Sequence, residues 1–447
     1  MIVAYEFKKQ FLLNKIYNFR REVKGIFNKK KETSAPKDIS KATLIGTTSG
    51  RKPIYTQDDA KHIFVCGTTG AGKTVALSNY IKSAIEKDYP MVIVDGKGDI
   101  GDNSILDTVQ KLKAQYGNRK KVYVIDMNKS AFSSLYNPFK NATPTTVKDM
   151  LINMTEWSEE HYKLNTERYL QRLVKMLSLV EGTLSFSKII HYMPSKRFME
   201  LSGLLLKADL ISKDEHIENI DLIESSGKIA DSASARFSTI LESDVGTLFD
   251  NNGVDIYDAI REKAIILFVL NPLIYPEISP LMGRLIVIDC KKAVSKLFNE
   301  NTGRTFFLFD EINVYASKPF LDLINKSRSA NVTCILATQS LSDLDSAVDE
   351  SFKEQVVENC NNYIVLRQNS SINAENWAKI LGTRSTMDVT YQLQQKGLNT
   401  SETGFGSARR VREFFYHPDD IKMLQTGKGI FLSKDTGYHS KININKP

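Results

Sequence analysis

Eight residues constrain this chain more than any others: Gly67, Thr68, Thr69, Gly70, Ala71, Gly72, Lys73 and Thr74, in that order. An apolar run of strand length, His62 to Cys66, precedes them, and Lys73 to Lys87 carries a helical pattern after them. A glycine-rich turn between a strand and a helix aims several backbone N–H groups, and the positive end of the helix, at one point. That is a cradle for phosphate. In it Lys73 reaches the β- and γ-phosphates and the Thr74 hydroxyl ligates a magnesium ion. The expectation is a site for ATP and Mg2+ inside an α/β fold.

Such a cradle needs a carboxylate to hold the metal's water shell. Thr305 to Phe309 is an apolar run ending in Asp310 and Glu311. Asp310 is expected beside the magnesium, and Glu311 is placed to polarise the attacking water. Further apolar runs are expected to complete a parallel sheet covered on both faces: Met91–Asp95, Lys121–Asp126, Ala264–Leu270, Cys334–Gln339, Tyr363–Arg367 and Gly429–Leu432. Ligands of such sheets bind at the carboxyl ends of the strands. Asp95 and Gln339 therefore join the candidate site, Gln339 as a hydrogen-bond partner of the γ-phosphate or its water.

Between 126 and 264 the strand pattern disappears. Helices are expected at Pro144–Ser158, Tyr162–Val180, Ser195–Lys207, Asp214–Glu224 and Asp231–Leu241, forming a separate lobe. The chain then divides into a nucleotide-binding domain in two parts, 51–143 and 236–447, with an inserted all-helical domain at 144–235. His161, His191 and His216 are too scattered to bind a metal. The four cysteines, Cys66, Cys290, Cys334 and Cys360, form no CxxC pair, which argues against a zinc site or disulfide framework and for a reducing compartment.

Charge is concentrated at one end. The net charge is +8, and residues 1–31 contribute nine Lys/Arg against two Glu. Leu12, Ile16, Phe19, Val23 and Ile26 recur there at helical spacing, so the arm reads as a basic amphipathic helix able to dock on anionic lipid, on a membrane partner or on its own domain. Residues 32–50 read as a linker. The longest uncharged apolar run, Ala264–Pro276, is too short for a spanning helix, which needs about 20 residues. The expected location is cytoplasmic, with peripheral attachment at the inner face of the membrane through the arm.

Taken in order, GTTGAGKT (67–74), VIVDGKGD (92–99), LFDE (308–311), KSRSANVTCILATQSLSDL (326–344), ENCNNYIVLRQ (358–368) and LGT (381–383) resemble the type IV coupling proteins. These are RecA-type motors of conjugation and type IV secretion, related to the FtsK and HerA families. The resemblance spans roughly residues 55–435. It implies a RecA-type P-loop NTPase with a parallel central sheet and an inserted all-α domain. It also implies a homohexamer that pumps DNA with ATP, and, as partners, a relaxase and other components of a type IV secretion channel. DNA contact of this kind is nonspecific and salt-dependent. The resemblance makes Asp310 and Glu311 the Walker B acids, Gln339 the glutamine of the third motif and Arg328 an arginine that reaches a neighbour's γ-phosphate. Lys97, beside Asp95, falls in a DPKG-like motif in which Gly96 replaces proline. Two other readings stand beside this one: a nucleotide-gated hub that recruits secreted proteins, and an FtsK/HerA-like motor on double-stranded DNA. Most coupling proteins begin with transmembrane helices; here two expectations stand, that the arm takes their place by docking on lipid or a membrane subunit, or that the protein is a soluble relative that never touches a membrane.

Overall fold

A computed structural model describes residues 38–447, apart from 60, 118, 299, 301, 302, 397 and 398, and describes 389–408 through the backbone alone. The arm expected over 1–31 lies outside the described residues. The first elements are β1 Ala42–Thr48, β2 Pro53–Gln57, β3 His62–Cys66, α1 Lys73–Glu86, β4 Met91–Asp95, α2 Ile105–Tyr116 and β5 Val122–Asp126. Helices follow: α3 Pro144–Asn153, α4 Glu160–Leu177, α5 Phe186–Tyr192, α6 Ser195–Lys207, α7 Lys213–Glu242 and α8 Ile256–Arg261. Then come β6 Ile265–Val269, α9 Ile278–Leu297, β7 Thr305–Asp310, α10 Lys318–Ser327, β8 Val332–Thr338, α11 Leu341–Ala347, α12 Glu350–Glu358 and β9 Cys360–Val365. The last are α13 Ser371–Leu381, β10 Thr383–Lys396, β11 Asn399–Phe414, α14 Pro418–Lys422, β12 Lys428–Ser433 and β13 Tyr438–Ile444.

Eleven strands form one sheet in the order β2-β1-β13-β12-β9-β3-β8-β7-β4-β6-β5. From β9 to β5 every pairing is parallel. Alternate side chains of these strands enter two cores. Phe64, Val92, Val94, Phe307 and Phe309 face α9, α10 and α13. Ile63, Val65, Ile93, Phe306 and Leu308 face α1 and α2. Apolar residues on both sides are what a parallel sheet covered by helices demands.

Two expectations are corrected by the other end of the sheet. The run at 429–432 is a strand, but β12 pairs antiparallel with β9, and β13, β1 and β2 continue antiparallel beyond it. An apolar run reveals burial, not direction. The expected linker at 32–50 is cut short by β1, whose Ala42, Thr43, Ile45 and Gly46 are buried in the sheet. Its Ser, Thr and Lys neighbours masked it.

The insert is helical, and its core runs into that of the sheet: Tyr169, Leu173, Phe198 and Phe237 belong to one apolar cluster with Phe268 and Ile286. The lobe thus rests on the body around the sheet and shares its core. The two helices expected at 214–224 and 231–241 are one, α7, of 30 residues, started by a capping box between Ser212 and Glu215. Ser225, Ser226 and Gly227 look like a break, yet a Cβ on Gly227 would stand 3.0 Å from the Ser195 Cβ, so the glycine lets α6 approach.

One lysine holds both connections to this lobe. Lys292 of α9 donates to the carbonyls of Pro138 and Lys140 on the way out, at 2.7 Å each, and pairs with Asp255 on the way back and with Asp289 on its own helix, at 2.8 Å each. Tyr136 bridges to Phe249 and Val254 and donates its hydroxyl to Asp289 at 2.8 Å. Removing the ammonium leaves two buried carboxylates uncompensated. Lys292→Ala is expected to cost about 3–5 kcal/mol in urea unfolding, and a cost below ~1 kcal/mol would show that water replaces the lysine.

Candidate nucleotide site

The phosphate loop is hung between strand ends. The Gly67 N–H donates to the Thr338 carbonyl at 3.2 Å and the Thr68 N–H to the Arg367 carbonyl at 3.0 Å, which ties the loop to the ends of β8 and β9. Gly72 caps α1 at φ 105°, a conformation that strains any side chain. From the antiparallel end of the sheet, the Gly427 N–H donates to the Ala71 carbonyl at 3.1 Å and the Thr426 hydroxyl to the Gly70 carbonyl at 3.0 Å. Nothing in the sequence pattern pointed to Thr426 or Gly427, because they lie in a turn that reads as an ordinary loop. Lys73 and Thr74 open α1, where its N–H groups are free for an anion.

Register brings the acids to this edge. Asp95 and Asp310 are direct neighbours at the ends of β4 and β7, both buried. Burial is the main cause pushing the Asp95 carboxyl up to about 7, with the Asp310 charge adding to it. Asp310 is raised chiefly by burial, against the pull of Lys73. The Lys73 Nζ lies 3.9 Å from Asp310 Oδ1 and is ion-paired with Glu311. Asp310 Oδ1 is buried without a hydrogen bond. Thr74, Asp95 and Asp310 line a cavity of about 330 Å³ with Lys97, Asp99 and Asp102. Among the described residues no three or more His, Cys, Asp or Glu are arranged to hold a metal ion. A hydroxyl, one orphaned carboxylate oxygen and phosphate oxygens nevertheless suit Mg2+, which keeps several waters and takes few protein ligands.

Glu311 sits at φ 48° and ψ 55°, left-handed backbone that is unusual for glutamate. Such strain persists only where neighbours over-determine it. Here the neighbours form a chain: the Thr69 hydroxyl donates to Gln339 Oε1 at 3.2 Å, and Gln339 Nε2 donates to Glu311 Oε1 at 3.2 Å. Behind it the Tyr315 hydroxyl donates to the Asp310 carbonyl at 2.8 Å. That tyrosine is a supporting residue for which the sequence carried no signal.

Two candidates stand elsewhere. The Lys97 ammonium pairs with Asp99, and only its backbone N–H meets Asp95 Oδ1, at 3.0 Å. Asp95 accepts from Gly98 N as well, at 3.1 Å, so in this structure it shapes the 96–98 turn. Arg328 is exposed in a short turn before β8, at the amino end of the sheet. The seven residues of β8 separate it from the carboxyl edge, a length of roughly 20–25 Å. Arg328 is therefore beyond reach of the phosphate loop of its own chain.

A family model described as the TraM recognition site of TraD and TraG matches residues 304–425, and one described as the central domain of the helicase HerA matches residues 43–262. Among solved structures, the fold is similar to that of the unbound bacterial conjugative coupling protein TrwB, with a TM-score of 0.66, 17% identity and coverage of 93% of this chain and 91% of that one. A TrwB structure with ADP and Mg2+ gives a TM-score of 0.63, 17% identity and coverage of 93% and 91%. VirB4 of Thermoanaerobacter pseudethanolicus gives 0.56, 11% identity and coverage of 91% and 96%. An uncharacterised protein of Mycoplasma pneumoniae is 27% identical over 147 residues, 33% of this chain and 93% of that protein.

The raised Asp95 has a thermodynamic signature. A carboxyl that titrates near 7 when folded and near 4 when unfolded keeps its proton only in the folded state between those values, so stability falls as pH rises from about 4 to about 7. Asp95→Asn is expected to leave stability unchanged near pH 3 and to raise it by on the order of 1–4 kcal/mol at pH 8, read by urea unfolding without nucleotide. Equal stability at both pH values would mean that the Asp95 charge costs nothing.

Proposed function

The chain belongs to the type IV coupling protein family, and we propose that it hydrolyses ATP to move DNA, delivering DNA and its relaxase to a type IV secretion channel. The observation that carries the turnover reading is the chain from Thr69 through Gln339 and Glu311 to Lys73. It gathers a hydroxyl, an amide, a carboxylate and an ammonium at the mouth of the phosphate loop. A protein that only switched on nucleotide binding has no need of a buried carboxylate held in strained backbone there.

In this reading the loop N–H groups and Lys73 take the phosphates. Thr74 and Asp310 would hold Mg2+, which when bound neutralises phosphate charge. Phosphate offers Lys73 a second anionic partner and loosens its hold on Glu311. Glu311, still held by Gln339, then accepts the proton of the attacking water. Asp95 keeps the turn beside the cavity in shape, and Lys97 stays with Asp99. The similarity to TrwB in complex with ADP and Mg2+ supports the choice of ligands.

Arg328 completes the site from another copy. An arginine on the amino edge of the sheet meets a phosphate at the carboxyl edge only when subunits pack head to tail, the geometry that closes into rings. We read the assembly as a homohexamer on the family pattern. DNA contact supports the motor over the recruitment hub if DNA stimulates turnover; an NTPase assay with and without DNA separates the two. Among the described residues no helix is long and apolar enough to cross a membrane. Attachment to the membrane is assigned to the arm, residues 1–31.

Lys73→Ala is expected to lose nucleotide binding, whereas Glu311→Gln keeps binding and loses turnover by about 10²–10⁴-fold. Native turnover in Glu311→Gln, measured by phosphate release, would remove Glu311 as the base. Arg328→Ala is expected to bind nucleotide and fail to hydrolyse it. Mixed with Lys73→Ala, it regains part of the activity, because one interface then joins an intact loop to an intact arginine. No recovery in assemblies shown to exchange subunits would argue that Arg328 does not act between copies.

A further inference from the structure

The ribbon of β10 and β11 is a sheet of its own, and the nucleotide chemistry makes no use of it. Two strands alone are marginal in water, so the base of the ribbon matters. There the Phe415 N–H donates to the Gly382 carbonyl at 3.0 Å, the Phe415 ring lies 4.2 Å from that of His439, and the Tyr416 hydroxyl shares a hydrogen bond with His439 at 3.0 Å.

Cross-strand partners share a face, and successive residues alternate between faces. The register therefore sorts the charges. One face carries Arg384 opposite Glu413, 3.9 Å apart, and Asp388 opposite Arg409, so its cations are matched by acids. The other face pairs Thr383 with Phe414, Ser385 with Arg412 and Met387 with Arg410. Over residues 383–388 and 409–414 it holds two guanidiniums and no acid; the acid next along it is Glu402, opposite Leu393 beyond a bulge. Arg410 and Arg412 are both exposed, and no ion pair involves either among the described residues. Two positions apart on one strand, they are about 7 Å from each other.

We propose that the Arg410–Arg412 face of the ribbon binds the phosphate backbone of a nucleic acid. This rests on the DNA-motor reading and names a place where the strand is held. Guanidinium groups pair with phosphates through two parallel hydrogen bonds. At this end of the ribbon no carboxylate shares their face, and the opposite face is neutral. A two-stranded ribbon is also narrow enough to enter the major groove of a duplex. Phosphate contacts of this kind carry no sequence information, as a translocating motor requires.

The test is salt dependence. Affinities of the full-length protein for a labelled duplex and a labelled single strand, both of random sequence, are measured by fluorescence anisotropy between about 50 and 200 mM salt. Each phosphate contact contributes about 0.9 to the slope of log K against log salt for a duplex and about 0.7 for a single strand. Arg410→Gln with Arg412→Gln is expected to flatten the slope by about 1.8 or 1.4 respectively, with nucleotide affinity and DNA-free ATPase unchanged. Arg384→Gln with Glu413→Gln, which removes a matched pair from the other face, leaves the slope as it was. If the double arginine variant folds poorly, Arg410→Gln or Arg412→Gln alone serves instead, each expected to flatten the slope by about 0.9 for a duplex and about 0.7 for a single strand. A native slope in the glutamine variant overturns the assignment. So does loss of binding to an acidic protein partner with DNA binding intact. If the unaltered protein binds neither form of DNA, the motor reading fails first, and the ribbon assignment falls with it.

Discussion

One ammonium faces three buried carboxylates at the carboxyl edge of the sheet. Lys73 pairs with Glu311 and stands near Asp310, whose neighbour in register is Asp95. Lys97, the next cation, is committed to Asp99. An edge so short of positive charge favours a bound cation and resists a bare anion. The phosphate loop reverses that preference within a few ångströms through its N–H groups and the start of α1. Magnesium with a polyphosphate satisfies both halves at once. The parallel strands, their register and the buttress from β12 are the means by which that charge pattern is held.

The same edge is mechanically linked to the helical lobe through α9. Near its start, Gly283 lies so close to Tyr315 that a Cβ there would come within 2.5 Å of the ring's own Cβ. Tyr315 in turn donates to the Asp310 carbonyl. Nine residues on, Lys292 clamps both connections to the lobe. One helix thus packs against the tyrosine that holds the Asp310 carbonyl and clamps both connections to the insert. Interfaces of this kind respond to a bound ligand by discrete shifts rather than continuous bending.

Where burial and local chemistry coincide, the sequence was readable. The phosphate loop between its strand and helix, the strand at Met91–Asp95 and the helix at Ser195–Lys207 have the same bounds in the structure. Neighbours in space were less readable. Strand direction at 428–433 depends on a turn and a partner 65–71 residues away, and β1 hides in a polar stretch because only its sheet neighbours make it a strand. Continuity of α7 depends on the approach of α6 to Gly227. The ribbon at 383–414 went unread because its register, not its composition, sorts its charges by face. The acids at the strand ends were found individually, but the pairing of Glu311 with Lys73 follows from a left-handed turn that no motif encodes.

The buttress on the phosphate loop has a consequence for synthesis. Thr426 reaches back across 356 residues to close the turn at Gly70. At roughly 5–20 residues per second, a ribosome needs about 20–70 s to supply that contact after the loop itself has emerged. For that interval the nascent chain has the glycine-rich turn without its support and the first parallel strands without their flank. A cell that expresses this protein therefore carries, on each ribosome, a half-built nucleotide site with an uncovered sheet edge. Holding factors that mask such edges are expected to engage the chain before its last two strands are made.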